Sequence, residues 1–419
     1  MMNKANLLYA QSGGVTAVIN ATAASVIEAA RARADAVGRV LAARHGILGA
    51  LDEDLIDTAP LSVVDLRRLA GTPGGAFGSC RFDLDPPEAN RDQYDRLFAV
   101  LAAHDIGYFL YNGGNGSMDT VAKVSRAAAE RGYPLVCVGV PKTVDNDLEG
   151  TDCSPGFGSA AKYAATSMLE AGLDLAAMTS RVGRAFVLEV MGRNAGWLAA
   201  ATALAARNDD EPPHVILMPE VPFDEEAFLA VVRSTVSRLG YCAVTVSEGI
   251  RRADGSLLME QDEDAKGHVQ LGGAGQCIAR LIHSRLGYKH HWAIPDYLQR
   301  AAGHLVSATD HAQARAVGQA AVEYALAGRD GVMAAIRRLA DAPYRWDVAP
   351  VAVAAIANLE RQVPRAFIRP DGLHVTDAAR TYLRPLIEGE MPACFAGGLP
   401  DYPRFPLPGV PRKLAPYRP

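Results

Sequence analysis

No hydrophobic run in this chain reaches the roughly 20 residues needed to cross a bilayer; glycine, asparagine or a charged residue interrupts each one first. The opening residues, Met1 to Ala10, lack the basic segment, apolar stretch and cleavage site of a secretory leader. Long basic runs are missing too, and the net charge is −5, so neither nucleic acid nor an anionic membrane is expected as a partner. Cysteine is scarce. Cys80, Cys137, Cys153, Cys242, Cys277 and Cys394 are scattered without C-x-x-C pairs or histidines at zinc spacing, the pattern of reduced thiols in a soluble cytoplasmic protein. No G-x-x-x-x-G-K-[ST] segment occurs, which excludes a P-loop enzyme. There is no internal repeat of short period.

With 419 residues, 49% of them hydrophobic and 21% charged, the chain has the make-up of a soluble globular protein long enough for two or three domains. Its recurring pattern is strand, glycine-rich turn, helix. Leu7–Ala10 reads as a buried strand, Gln11–Gly14 as a turn, and Thr16–Arg33 as a helix with Ile19, Ala23, Val26, Ile27 and Ala30 on one face. The pattern returns at Ile106–Tyr111, Asn112–Gly116 and Ser117–Arg131. Further strands are expected at Leu135–Val140, Arg184–Val190, Val215–Met218, Ala243–Ser247 and His291–Ile294, and helices at Asn194–Ala206 and Phe223–Leu239. Such alternation predicts mostly parallel sheets covered on both faces by helices, with ligands beyond the carboxyl ends of the strands. Later, Asp310–Ala327 and Arg329–Leu339 read as helices and Asn358–Pro364 as the end of another. Pro392–Pro419 reads as a Pro/Gly-rich arm, extended or partly disordered.

The turns carry the chemistry. Ser12-Gly13-Gly14 and Gly113-Gly114-Asn115-Gly116-Ser117 each follow a strand and open onto a helix, which suits phosphate oxygens. Thr72-Pro73-Gly74-Gly75, ahead of Arg81, is a third glycine turn. Pro141-Lys142-Thr143-Val144-Asp145-Asn146-Asp147 sets a cation, a hydroxyl and two carboxylates at one strand end. There Asp145 can take a proton from a hydroxyl, Lys142 can neutralise a transferring phosphoryl group, and Asp147 can help hold a metal ion. Arg184 opens a strand that ends at Met191-Gly192-Arg193. Glu248 closes another, and Tyr297-Leu298-Gln299-Arg300 follows a third. Arginine forks and a carboxylate at strand ends suit an anionic sugar. The adjacent His290 and His291 point to opposite faces of a strand and make no metal pair.

Taken in order and spacing, these segments resemble the phosphofructokinase family over roughly residues 5–320, and within it the pyrophosphate-dependent branch. The resemblance implies an α/β fold of two similar domains with the active site in the cleft between them. Residues 1–150 would bind the phosphoryl donor, with later segments returning to that domain, and 151–320 would bind the sugar phosphate. Residues 321–419 would form a C-terminal helical extension and arm. It implies Asp145 as the base on the sugar 1-hydroxyl, with Lys142 beside it. Fructose 6-phosphate would be held by Thr143, Asp145, Arg184, Met191, Gly192, Arg193, Glu248, Tyr297 and Arg300. The donor would meet Gly13, Arg81, Gly114, Asn115, Gly116 and Ser117, and Mg²⁺ would rest on Asn115 and Asp147. Arg184 matches an arginine that reaches a neighbouring subunit's sugar site, which implies a homodimer or homotetramer.

The donor is marked in two directions. Lys142 is a feature of pyrophosphate-using members, whereas Gly116 stands where those members carry Asp and ATP-using members carry Gly. A carboxylate there repels the α-phosphate of a nucleotide and fills its space. With Asn115 and Gly116, the turn has no carboxylate of its own before Asp119. On the sequence alone, Gly116→Asp is expected to raise pyrophosphate use and suppress any use of ATP. An ATP-dependent enzyme and a sugar-phosphate sensor that has lost its chemistry remain the alternatives. A lipid or NAD kinase would not need Met191-Gly192-Arg193 and Tyr297-Leu298-Gln299-Arg300.

Overall fold

The computed structural model describes residues 4–178, 182–259, 272–405 and 407–417. In chain order its principal strands are β1 (Asn6–Gln11), β2 (Val40–Ala43), β3 (Leu55–Asp57), β4 (Ile106–Gly113) and β5 (Val136–Pro141). They continue with β6 (Arg184–Val190), β7 (Val215–Leu217), β8 (Tyr241–Ser247), β9 (Lys289–Ala293), β10 (Val332–Asp341) and β11 (Tyr344–Ala352). A seven-stranded sheet has the order β11-β10-β5-β4-β1-β2-β3, parallel from β10 through β2 and antiparallel at both edges. A four-stranded sheet, β7-β8-β6-β9, is parallel throughout.

The central strands read as unbroken apolar runs, Leu7-Leu8-Tyr9-Ala10 and Val136-Cys137-Val138, because helices cover both of their faces. The Ile19–Ala32 helix packs on one side beneath the Ala308–Leu326 helix, and the Asn115–Arg131 helix packs on the other. Phe109 and Tyr111 stack at 5.5 Å in the second layer. Each such fully buried ring contributes about 1.5–3 kcal/mol relative to exposure. The smaller sheet is covered by the Phe157–Ala177, Glu225–Leu239 and Ala274–Leu286 helices.

Two expectations for the C-terminal part are corrected. Arg329–Leu339 is no helix: β10 occupies Val332–Asp341 and makes a hairpin with β11. Its first half is buried beside β5 and its second half alternates, as a ribbon leaving the sheet does. Asn358–Pro364 is irregular and does not end a helix; there Glu360 bridges to Leu148 and the Arg361 N–H donates to the Asp147 carbonyl at 2.8 Å. A smaller difference lies at Asn194–Ala206, where the helix is confined to Trp197–Ala201 and tightens into a 3₁₀ turn over Thr202–Ala205.

The arm is extended and tied to the larger sheet. Val410 donates to Leu55 O at 2.7 Å and Asp57 to Pro408 O at 3.0 Å, so the arm adds to the β3 edge. Glu53, with a fully buried side chain, accepts from Lys413 N (2.7 Å) and Leu414 N (3.0 Å) and lies 2.7 Å from His104 Nε2. Removing this carboxylate strands two backbone donors and a ring nitrogen. Glu53→Ala should therefore lose about 2–4 kcal/mol of stability and release the arm to limited proteolysis. Urea unfolding and the cleavage pattern check both.

Candidate active site

β1, β4 and β5 end side by side, and each runs into one of the polar turns. Gly13 has φ +72°, a conformation open to glycine, and a Cβ there would stand 3.3 Å from Lys142 Nζ. At Gly113 a Cβ would strike Ser117 Oγ at 1.8 Å, so only glycine lets β4 pass into the Asn115–Arg131 helix. Ser117 Oγ donates to Ser12 Oγ at 2.9 Å and pins the first turn to the second. Ser117 thus holds the two turns together. The helix has no side-chain cap at Gly114, which leaves its N-terminal end facing the site.

Lys142 is 3% exposed, and its Nζ donates to Gly14 O at 2.6 Å. Its backbone N–H donates to Gly113 O at 3.0 Å, so one residue ties the β1, β4 and β5 turns together. Thr143 Oγ1 accepts from Asp145 N at 3.1 Å and fixes the loop that carries the carboxylates. From the smaller sheet come Met191, Gly192 and Glu248. Gly192 N donates to Glu248 Oε1 at 3.3 Å, and Met191 N donates to Gln299 Oε1 at 3.2 Å. Arg300 reaches across to the first turn, where a Cβ on Gly14 would meet its guanidinium at 2.5 Å. The Arg300 guanidinium also lies 4.1 Å over the exposed Tyr297 ring. The ends of both sheets therefore close on one centre.

The charges at that centre act on one another. Burial pushes the Lys142 ammonium down to about 8, with Asp145 and Asp147 opposing and Arg300 and Arg81 reinforcing the shift. Burial, then Glu248, pushes Asp145 above the ordinary carboxylate range, against the pull of Lys142, Arg193 and Arg300. Asp147 is raised by burial, by Asp145 and by Glu360, and Glu248 is raised chiefly by burial. A carboxyl with raised basicity beside a buried ammonium and two guanidinium groups can deprotonate a hydroxyl while holding a phosphate.

Arg184 does not join this centre. It sits at the opening of β6, about 20 Å of strand from Met191 at the rate of 3.3 Å per residue. Lys289 lies beside it in register, and on the same strand His290 stacks with Trp292 and meets His283 of the Ala274–Leu286 helix. Three residues that sequence reasoning did not single out do matter here. Gln299 was visible inside its own motif, but nothing in the motif tells which of its side chains points inward. Glu360 lies in the segment read as a helix end. Asp83, just past Arg81, has its Oδ1 2.8 Å from where a Cβ on Gly116 would stand.

The residues at Asn115 and Asp147 fit a hard divalent cation. Asn115 Oδ1 is buried without a hydrogen-bond partner, while its amide nitrogen lies 3.3 Å from Asp147 Oδ2. Among the described residues no group of three or more His, Cys, Asp and Glu could cage a metal. Two oxygen donors completed by substrate phosphates and water are the arrangement Mg²⁺ favours.

Parallel sheets whose carboxyl ends gather an uncapped helix end, glycine turns, a base and buried cations define a phosphotransferase of the α/β class. Residues 6–325 match the family profile described as Phosphofructokinase. The chain is 56% identical over 411 residues to the pyrophosphate–fructose 6-phosphate 1-phosphotransferase of Methylococcus capsulatus, covering 98% of each chain. It is 54% identical over 416 residues to the enzyme of that name from Xanthomonas campestris pv. campestris, covering 99% of each. The crystal structure of a pyrophosphate-dependent phosphofructokinase from Nitrosospira multiformis superposes with a TM-score of 0.92 at 50% identity, over 99% of this chain and 100% of that one. The chain belongs to the phosphofructokinase family.

The raised carboxylates carry a cost that the fold bears elsewhere. A folded-state value above the unfolded one means the ionised form destabilises the fold, fully so once pH exceeds the folded value and not at all below about pH 4. Asp145→Asn should therefore raise Tm at pH 8, by about 1 °C for each kcal/mol relieved in a chain of this length, and the gain should vanish near pH 4. Differential scanning calorimetry at both pH values checks the sign.

Proposed function

We propose that this chain transfers a phosphoryl group from pyrophosphate to the 1-hydroxyl of fructose 6-phosphate, releasing phosphate and fructose 1,6-bisphosphate. The observation that carries the reading is Lys142, buried against the Gly13-Gly14 turn and sharing its charge environment with Asp145. Asp145 takes the hydroxyl proton as the sugar oxygen bonds to phosphorus. The bridging P–O bond breaks, and the pair of electrons leaves with the departing phosphate. Lys142, Arg81 and Arg300 offset the charge that gathers on it. Asn115 and Asp147 would hold Mg²⁺, which when bound supplies charge neutralisation to the donor phosphates. Gly192, Glu248 and Gln299 fix the sugar side, and Thr143 holds Asp145 in line. The larger sheet is the donor-binding unit and the smaller sheet the sugar-binding unit. We place the enzyme in the cytoplasm, where its six unpaired thiols stay reduced; among the described residues no helix is long and apolar enough to cross a membrane.

Asp145→Asn should lower kcat by about 10²–10⁴ with little change in the KM for sugar. In the free enzyme kcat/KM should rise with pH as Asp145 ionises, above the usual carboxylate range, and fall as Lys142 loses its proton near 8. Lys142→Arg, which keeps its charge, should move that alkaline limb upward. Phosphate release across pH 5–10 tests both limbs; retention of the limb near 8 in the arginine variant would exclude Lys142 as its source.

The enzyme works as a homo-oligomer in which Arg184 serves a neighbour's site. Arg184 Nε is buried without a partner, and Lys289 lies next to it in register. Leu169 and Leu173 on the Phe157–Ala177 helix and Ile294 and Leu298 after β9 are 44–66% exposed, as an interface would leave them in one protomer. Mixing Arg184→Ala with Asp145→Asn protein after dissociation should restore activity in hybrids, since one site then has an intact base and receives an intact arginine. Hybrids no more active than the parents would place Arg184 outside the sugar site.

A further inference from the structure

The reading above leaves Gly116 unexplained, because glycine at that position opens space beside the donor. Three close approaches mark the surroundings of these turns. Lys142 lies against Gly13, a Cβ on Gly114 would lie 3.8 Å from Lys142 O, and a Cβ on Gly116 would lie 2.8 Å from Asp83 Oδ1. A pyrophosphate fills the turns nearest Lys142 and the open helix end. A third phosphate must continue past Gly116, where the Asp83 carboxylate stands.

Asp83 is held there. Its neighbour Leu84 is buried and accepts from Lys123 Nζ at 2.8 Å, and Lys123 belongs to the same helix as Gly116. The next residue, Asp85, is tied through its N–H to Gln93 Oε1 at 3.1 Å. Asp83 itself is exposed and makes no hydrogen bond or ion pair to any described residue, so its charge is not compensated by a partner side chain. We propose that Asp83 is the specificity-determining residue for the donor. Its carboxylate, delivered from the loop after Arg81, occupies the place that Gly116 leaves open and rejects donors longer than two phosphates.

This account rests on pyrophosphate as the donor, and it changes the expectation for Gly116→Asp. With Asp83 in place, an added carboxylate would be set against one already there, so the single substitution should impair pyrophosphate use. The test is the ratio of kcat/KM for ATP and for tripolyphosphate to that for pyrophosphate, with Mg²⁺ and fructose 6-phosphate. Wild type, Asp83→Asn, Asp83→Gly and the double variant Asp83→Gly with Gly116→Asp are compared. Both single Asp83 variants should raise the ratios at least tenfold and bind tripolyphosphate more tightly as a competitor of pyrophosphate. The double variant should return the ratios toward wild type. A pyrophosphate-selective wild type whose Asp83 variants keep that selectivity would overturn the proposal and leave the donor reading intact. A wild type that uses ATP as well as pyrophosphate would defeat the donor reading itself. Loss of pyrophosphate activity repaired by excess Mg²⁺ would make Asp83 a metal ligand and would also overturn the proposal.

Discussion

One ammonium group organises the centre. Lys142 Nζ lies in the interior, donates to the Gly14 carbonyl, and is flanked by carboxylates on its own loop and guanidinium groups from two other segments. Asp145 and Asp147 oppose the loss of its proton that burial favours. Their basicity would rise further without Lys142. The glycines follow from this. Gly13 is held to glycine by its φ of +72°, a Cβ on Gly14 would displace the Arg300 guanidinium, and Gly113 must lack one so that Ser117 can reach Ser12. The turns are therefore glycine-rich for two reasons at once: backbone amides must approach phosphate, and cations must approach backbone.

The division of labour between the sheets has a physical origin too. Lys142, Asp145 and Asp147 lie on a turn of the seven-stranded sheet, whose parallel register sets three strand ends level. The smaller sheet contributes Arg193, Glu248 and Arg300 from its strand ends, with Gln299 and Glu248 each taking a backbone N–H of the Met191–Gly192 pair. Glu189, one residue before Val190, is buried and accepts from the N–H groups of Gly273 and Gly275, capping the Ala274–Leu286 helix. The strand end that presents Met191 is thus anchored from behind.

Much of this was legible in the sequence, for a local reason. Strand, glycine turn and helix succeed one another within a few residues, so β1, β4, β5 and β6 and the polar turns that follow them could be read directly. The C-terminal part was misread where local and tertiary preferences conflict. Val332–Asp341 is rich in Ala, Ile, Arg and Leu, good helix formers apart from Ile, yet it lies beside β5 in a position only a strand can fill. Glu360 and Asp83 were missed for a different reason. Each reaches the centre from a segment distant in sequence, and neither carries a local pattern that points to it. Arg184 was recognisable as a motif residue, but only the strand's direction shows that it faces away from its own site.

A carboxylate discriminates between donors through its position in space and not through the segment that carries it. Coulomb repulsion depends on separation and on the medium between the charges. A charge on a neighbouring loop, its oxygen 2.8 Å from where a Cβ on Gly116 would stand, therefore acts on a phosphate much as one attached to position 116 would. What differs is the constraint on the helix. An aspartate within the first turn interacts with the open N–H groups beside it, whereas one on the Arg81 loop leaves those donors to the ligand. Moving the charge off the helix thus separates two demands that a single turn must otherwise satisfy together: binding the two phosphates it accepts and refusing the third. Under the proposed assignment the first falls to Gly114, Asn115 and the uncapped helix end, and the second to Asp83. Reading donor identity from the glycine turn alone confuses the two.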